Sequence, residues 1–567
     1  AFVPAVSLWI SKQLLDAVAE AIQTASGELA RLVSLLALQV LVTALAGLAS
    51  ASQNASRELL GDSLQNRISR DILSKASQLD LESFETPDTY DALQNAYNEA
   101  GSRPLGVLTQ LITLGQALIT LGSVGALMSQ LGASVVPLVL VASVPSVWVS
   151  SQFGTASYRM LRRRAPDARV QNYLGRLLTL DNLVKEVRLF NIERYLLDRW
   201  QYYYLHFRKE FAGLIRRRTI WSTAASLFST GMIALATLTV LRRAANGQMT
   251  VGDFSLFVGG INQLQAQFNR LLNGLSSIYQ HLLYMRNLFE FLELPSRDLN
   301  AGETWQGEIH TITFENVGFH YPLADRDVLQ GVSFEIRKGQ SLALVGHNGA
   351  GKTTLVKLLT RLYEPTSGKI LLNGQDATRY SPRSVQQAIS SIFQDYGRYH
   401  LTVRENVGLS GLAKSQDDPN AIMDNDSAIA RAMGQGGADT FVDDLPQRTE
   451  TLLSRYFEGG VDLSGGQWQR LALSRLYFRD ASVLVFDEPT AALDAEAEFA
   501  IIESLREQAA SRIVLIISHR FSTVRLADTI VVLEAGKISE RGSHAELMAV
   551  NGTYARMFLL QAQGYRD

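Results

Sequence analysis

Between Arg103 and Arg159 the chain carries no Asp, Glu, Lys or Arg. About 20 consecutive apolar residues make a helix long enough to cross the hydrocarbon core of a bilayer, so this run has the length to cross twice, turning near Met128 to Ala133. Two further stretches, Leu32 to Ser56 and Thr219 to Leu241, are free of charge between flanking arginines, and each is long enough to span once. A soluble protein does not bury so many long uncharged helices, and the chain reads as a membrane protein. The averages over all 567 residues, a net charge of −2 and 47% hydrophobic side chains, conceal two unlike halves.

Charge orients the first half. The segment from Tyr158 to Arg218 is rich in arginine, including Arg162 to Arg164 and Arg216 to Arg218, whereas the turn near Met128 has no charge, so the basic side is expected to be cytoplasmic. The acidic loop from Asp16 to Arg31 then falls on the opposite face; Arg242 and Arg243 fall there too and are read as snorkelling to headgroups. Six membrane helices are expected near residues 1–22, 30–55, 103–128, 132–157, 217–242 and 252–275, with helical cytoplasmic extensions from Glu58 to Ser77 and from Val170 to Arg208. The first is expected to be truncated at its start, because only Ala1 to Ser11 precede Lys12 and no basic segment of a signal peptide is present. The sixth is unusually polar, and Asn262, Gln265 and Asn269 recur on one helical face, as a cavity-lining stripe does. With no cysteine, disulfides, thiolate metal sites and cysteine nucleophiles are excluded. No nucleic-acid partner is expected.

After Pro295 the texture changes. Ile312 and Phe314 alternate with polar neighbours as in a half-buried strand, and strand-like and helical runs interchange to the C-terminus. The expected division is a membrane domain at residues 1–295, a polar linker at 296–307 and a soluble α/β domain at 308–567. Within the last, Gly346-His347-Asn348-Gly349-Ala350-Gly351-Lys352-Thr353-Thr354 fits G-x-x-x-x-G-K-[ST], preceded by an apolar strand from Gln340 to Val345 and followed by helical spacing from Leu355 to Tyr363. Glycines let successive N–H groups face phosphates, the helix adds its positive end, Lys352 reaches the outer phosphates, and Thr353 offers a hydroxyl to magnesium. The ligand expected from the loop is ATP or GTP.

Val483-Leu484-Val485-Phe486-Asp487-Glu488 is an apolar strand ending in two carboxylates. Beside a phosphate loop such a strand places Asp487 on the magnesium shell and Glu488 at the attacking water. Leu463-Ser464-Gly465-Gly466-Gln467 is a second glycine-rich turn, with a helix expected from Trp468.

In that order and spacing, these three motifs resemble the nucleotide-binding domain of the ATP-binding cassette transporters. The resemblance implies that the nucleotide is ATP and adds site residues. Tyr321 matches the aromatic that stacks on adenine, Gln394 the glutamine joining magnesium to the membrane half, Asp494 the dimer-contact loop, and His519 the histidine at the terminal phosphate. Six helices followed by one cassette are similar to the exporter-type half-transporter, and Leu79 to Leu93 and Lys185 to Phe190 look like its two coupling segments. Arg455 to Gly460 departs from the acidic, glycine-rich segment common before the signature, and His347 occupies a variable loop position. The fold class so implied is a polytopic α-helical membrane domain fused to a P-loop α/β domain.

The catalytic set implied is Glu488, His519, Gln394 and Lys352, and the metal ligands are Thr353, Gln394 and Asp487. Nucleotide contacts are Tyr321, Gly346, Asn348, Gly349, Gly351, Lys352, Thr353, Thr354 and, in the dimer-contact loop, Asp494, with Ser464, Gly466 and Gln467 from a second chain's signature. Because the resemblance has one chain's signature closing over the other's phosphates, a second half-transporter is implied. A homodimer is favoured, since both loop and signature are intact. The expectation is an ATPase that drives export from an inner-membrane location with a cytoplasmic cassette, using ATP and Mg2+. An importer on the exporter architecture and an ATP-gated channel or signalling protein carry the same motifs and stay open here; the cargo is unnamed.

Overall fold

A computed structural model describes residues 1–24, 29–86, 89, 92–94, 96–97, 103–131, 135–322, 324, 326–414, 419–489 and 495–563. The chain forms two compact units: Ala1–Ser77 with Asp91–Leu294, and Gln78–Tyr90 with Pro295–Asp567.

The helices begin with α1 (Val3–Thr24), α2 (Leu29–Ala76), α3 (Leu81–Glu85) and α4 (Arg103–Ser129). They continue with α5 (Val135–Thr179), α6 (Asp181–Leu189), α7 (Glu193–Ala245) and α8 (Val251–Leu292). All but α3 belong to the first unit. The described residues of the six expected spans fall largely in α1, α2, α4, α5, α7 and α8, the first from Val3 and the fourth from Val135. Among the described residues, α2, α4 and α7 are long and apolar enough to cross a membrane. At 53 residues, α7 is about 80 Å long at 1.5 Å per residue, far beyond a hydrocarbon core of about 30 Å. The helical extension expected from Val170 to Arg208 is divided among three helices. Leu180 adopts extended backbone (φ −85°, ψ 132°) and Asn191 the left-handed region (φ 53°), which sets the short helix α6 between α5 and α7.

A core of Val124, Met128, Ala236, Val240, Leu256, Phe257, Ile261 and Leu264 joins α4, α7 and α8. Gly260 leaves room there for the Met128 side chain, whose sulfur would lie 2.2 Å from an added Cβ and would have to move. The polar stripe of α8 has split roles. Asn262 is exposed, whereas Gln265 donates to Ser229 of α7 at 2.8 Å and so has a partner inside the bundle. The charges of α1 also have partners. Lys12 pairs with Asp253 at 2.6 Å and Asp16 accepts from the Gly252 N–H at 2.8 Å, both at the N-terminal end of α8, where negative charge is favoured.

In the second unit β1 (Thr311–Phe319), β2 (Leu329–Arg337), β4 (Ser367–Leu372) and β5 (Gln375–Asp376) form an antiparallel sheet in the order β2-β1-β4-β5. A six-stranded sheet has the order β10-β9-β3-β8-β7-β6. Its members are β3 (Ser341–Gly346), β6 (Ile389–Ile392), β7 (Val483–Asp487), β8 (Ile513–Ile517), β9 (Thr529–Glu534) and β10 (Lys537–Gly542). Every neighbour pair is parallel except β9 with β10. β3, β7 and β8 are buried along their whole length, which is why they read as unbroken apolar runs. Residues 296–307 lie along this unit: the Trp305 N–H donates to Ser384 Oγ at 2.9 Å and its ring meets Tyr380 edge-on.

Helix α3, in the first of the two segments likened to coupling segments, is held by the second unit. Glu85 accepts from the Tyr363 hydroxyl at 2.5 Å and from Lys357 Nζ at 3.0 Å. Burial pushes the Glu85 carboxyl up, and the Tyr363 and Lys357 hydrogen bonds outweigh it, leaving it below the ordinary value. Such a group contributes stability above its unfolded pKa and loses that contribution as pH falls through the lower folded one. Glu85→Ala and Lys357→Ala should therefore couple in a double-mutant cycle of thermal unfolding near neutral pH, by about 0.5 kcal/mol, with the coupling vanishing in acid. Additivity at neutral pH would contradict the pairing.

Candidate functional site

Parallel pairing sets the site. β8 lies between β3 and β7, Leu344 facing Ile517 and Asp487 facing Ile517 from the other side, so the phosphate loop and the acidic pair end on one edge. Gly346 closes β3 with φ 156°, and a Cβ there would lie 2.3 Å from the Leu533 carbonyl oxygen. Gly351 (φ 102°) then turns the chain directly into helix α9 (Lys352–Leu359). That helix starts three residues before the expected Leu355, since Gly351 admits a left-handed backbone; Arg361, also left-handed (φ 57°), lies just past its end, short of the expected Tyr363.

An open cavity of about 660 Å³ is lined by Tyr321, Asn348, Gly349, Gly351, Lys352, Thr353, Thr354, Gln394, Asp487, Glu488 and His519. Lys352 Nζ donates to the carbonyls of Gly346 at 2.8 Å and His347 at 3.1 Å. Thr353 Oγ1 donates to Asp487 Oδ2 at 3.0 Å. Glu488 is held from two sides: Gln394 Nε2 lies 3.0 Å from Oε2 and His519 Nε2 2.9 Å from Oε1. Tyr321 hydrogen-bonds Thr354 at 3.1 Å, and Lys357 Nζ lies 5.2 Å from its ring centre. Burial pushes the Asp487 carboxyl up to about 6, with Glu488 and Asp395 adding and with Thr353 and Lys352 opposing. Burial lowers Lys352, against the pull of Glu488 and Asp487.

The signature turn does not line this cavity. Ser464 instead caps helix α10 (Gly465–Phe478) in a reciprocal box with Gln467, which begins the helix three residues before the expected Trp468. Asp494 lies outside the described residues. Sequence reasoning passed over Gln469, 2% exposed, whose Nε2 donates to the Glu488 carbonyl at 3.3 Å. It passed over Tyr396 too, whose hydroxyl donates to the Gly465 carbonyl at 3.2 Å. The signal for Gln469 is an amide sharing one helical face with Ala472, Leu473 and Leu476, where an apolar side chain is the rule.

The sequence matches the family described as ABC transporter over residues 329–491 and that described as ABC transporter transmembrane region over residues 1–268. It is 30% identical over 98% of its length to the subtilin transport ATP-binding protein SpaT of Bacillus subtilis, covering 88% of that protein. The chain belongs to the ABC transporter family. This ABC transporter is also 28% identical, over its full length and 92% of the relative, to the nisin transport ATP-binding protein NisT of Lactococcus lactis subsp. lactis. It is 34% identical, over 66% of its length and 60% of the relative, to the ATP-dependent lipid A-core flippase of Aromatoleum aromaticum. A bacterial Atm1-family ABC exporter solved with ATP bound has the same fold, with a TM-score of 0.80 at 24% identity over 99% of this chain and 96% of that one. The protein is thus an ATPase coupled to transmembrane transport, of the exporter type.

Asp487 supplies a pH prediction. Its folded pKa is above the ordinary 3.8, so its favourable contribution is complete below that value and is lost as pH rises through about 6. In protein free of nucleotide and divalent metal, Asp487→Asn should gain stability over the parent across that window, by on the order of 1–3 kcal/mol. A pH-independent difference in unfolding temperature would contradict the buried, protonated carboxyl.

Proposed function

We propose that two copies of this chain form two composite ATP sites in an integral inner-membrane exporter with cytoplasmic cassettes, each site joining one chain's phosphate loop to the other's signature turn. The observation that carries this reading is the division of the motifs: Lys352, Thr353, Asp487, Glu488, Gln394 and His519 share one cavity, whereas Ser464 to Gln467 lie outside it. Both sets are intact in one sequence, which favours a homodimer. The relatives are named for transport of subtilin and of nisin and for flipping lipid A-core, which points to a cargo of one of these kinds.

The positions of the side chains support a hydrolytic role for each. Thr353, Asp487 and Gln394 present hard oxygen donors that suit Mg2+, which when bound draws charge from the terminal phosphates. Lys352 neutralises the outer phosphates, and Tyr321 offers its ring to adenine. Gly346, Asn348, Gly349, Gly351 and Thr354 shape the cradle. Glu488 accepts the proton of the attacking water, after that water takes the place of His519 on Oε1; His519 then turns to the terminal phosphate. Ser464, Gly466 and Gln467 close from the second chain, with Asp494 at the dimer contact.

Glu488→Gln should keep ATP binding and lose turnover by about a hundredfold or more, because base and electrostatic effects are removed together. Mixing a Lys352→Ala chain with a Ser464→Arg chain should restore measurable ATPase, since one composite site keeps both intact halves. No rescue in isolated mixed dimers, or full activity from a monomer, would contradict the arrangement. Cargo accumulation inside inside-out vesicles checks export.

A further inference from the structure

Glu488 stands in an unusual backbone state. Its φ is 53°, in the left-handed region, which an L-residue keeps only where the surroundings hold it. Its N–H still extends the parallel ladder, donating to the Ile517 carbonyl at 2.9 Å. The positive φ then turns the chain out of the strand, and the Glu488 carbonyl points to helix α10, where Gln469 Nε2 meets it at 3.3 Å. Because φ and ψ at this residue set where its carboxylate points, the group that holds its carbonyl also helps to aim the carboxylate.

Helix α10 is not a passive neighbour. Its first residue, Gly465, accepts from Tyr396, two residues beyond Gln394, and Gln394 holds the Glu488 carboxylate itself. Farther along, Arg475 donates to the Gly397 carbonyl and to Asn406, and Ser390 of β6 donates to the Leu476 carbonyl at 2.8 Å. The helix and the segment from Gln394 to Asn406 are thus stitched together at both ends and grip Glu488 by backbone and by side chain. We propose that Gln469 is a positioning residue that makes the aim of Glu488 depend on the helix bearing the same chain's signature turn. Given the composite sites of the preceding section, on which this rests, that turn closes over the nucleotide held by the other chain. Gln469 then links the engagement of one site to the catalytic geometry of the other.

The test uses full-length mixed dimers with different affinity tags, in lipid, with one chain carrying Glu488→Gln so that one site turns over. Gln469→Leu is placed either on the chain with the intact Glu488 or on the Glu488→Gln chain. Since misplacement by about 1 Å costs up to about a hundredfold, turnover should fall at least about tenfold further in the first placement than in the second, with KM for ATP within about threefold of the parent dimer. A role confined to filling the buried face of α10 damages both placements alike, so equal losses, or no loss in either, would overturn the proposal. Gln469→Met repeats the comparison with a flexible side chain of similar length. Ser464→Arg on the Glu488→Gln chain must abolish the remaining turnover. If it does not, the composite site fails; if it does and the placements of Gln469→Leu do not differ, only the proposal about Gln469 fails.

Discussion

The chemistry of this chain depends on a shared edge. Three buried parallel strands, β3, β8 and β7, end level with one another. That register delivers the phosphate loop from one strand, Asp487 and Glu488 from another, and His519 just past the third. The ladder is continuous and dry, so its strands are fixed by backbone pairing and apolar packing, and what departs from it does so at the functional edge. Gly346, Gly351 and Glu488 all have positive φ there. For the two glycines that conformation is unstrained, and of the three only Glu488 bears its cost.

Glu488 shows how the parts become interdependent. Its two carboxylate oxygens face side chains from two different segments, Gln394 and His519, while its carbonyl faces a third, Gln469. Together they leave the carboxylate few alternatives, as its proposed role of base requires where positioning supplies most of the rate. In the first unit polar groups are likewise handled by pairing: Lys12, Asp16 and Gln265 each meet a partner on a neighbouring helix.

Much of this was legible in the sequence, for identifiable reasons. Long uncharged runs leave little choice but membrane helices, and each of the six expected spans overlaps a helix among the described residues. The glycine-lysine-threonine loop and the Asp487-Glu488 pair carry their own context of strand and helix. What was not legible depended on backbone conformations that side-chain patterns do not encode. The break at Leu180 and Asn191 divides a helically spaced run. Helix α10 starts ahead of the expected Trp468 because Ser464 and Gln467, at capping-box spacing, begin it at Gly465. Gln469 was passed over because its partner is a main-chain carbonyl whose direction is set by the left-handed turn at Glu488.

The central claim is that one chain holds half of each nucleotide site. It is tested most directly by loading Glu488→Gln protein with labelled ATP and Mg2+, removing free nucleotide, and measuring retained ATP and particle mass together. The account predicts two uncleaved ATP molecules retained by each pair of chains, released together when the pair separates. ATP retained stably by single chains would contradict it.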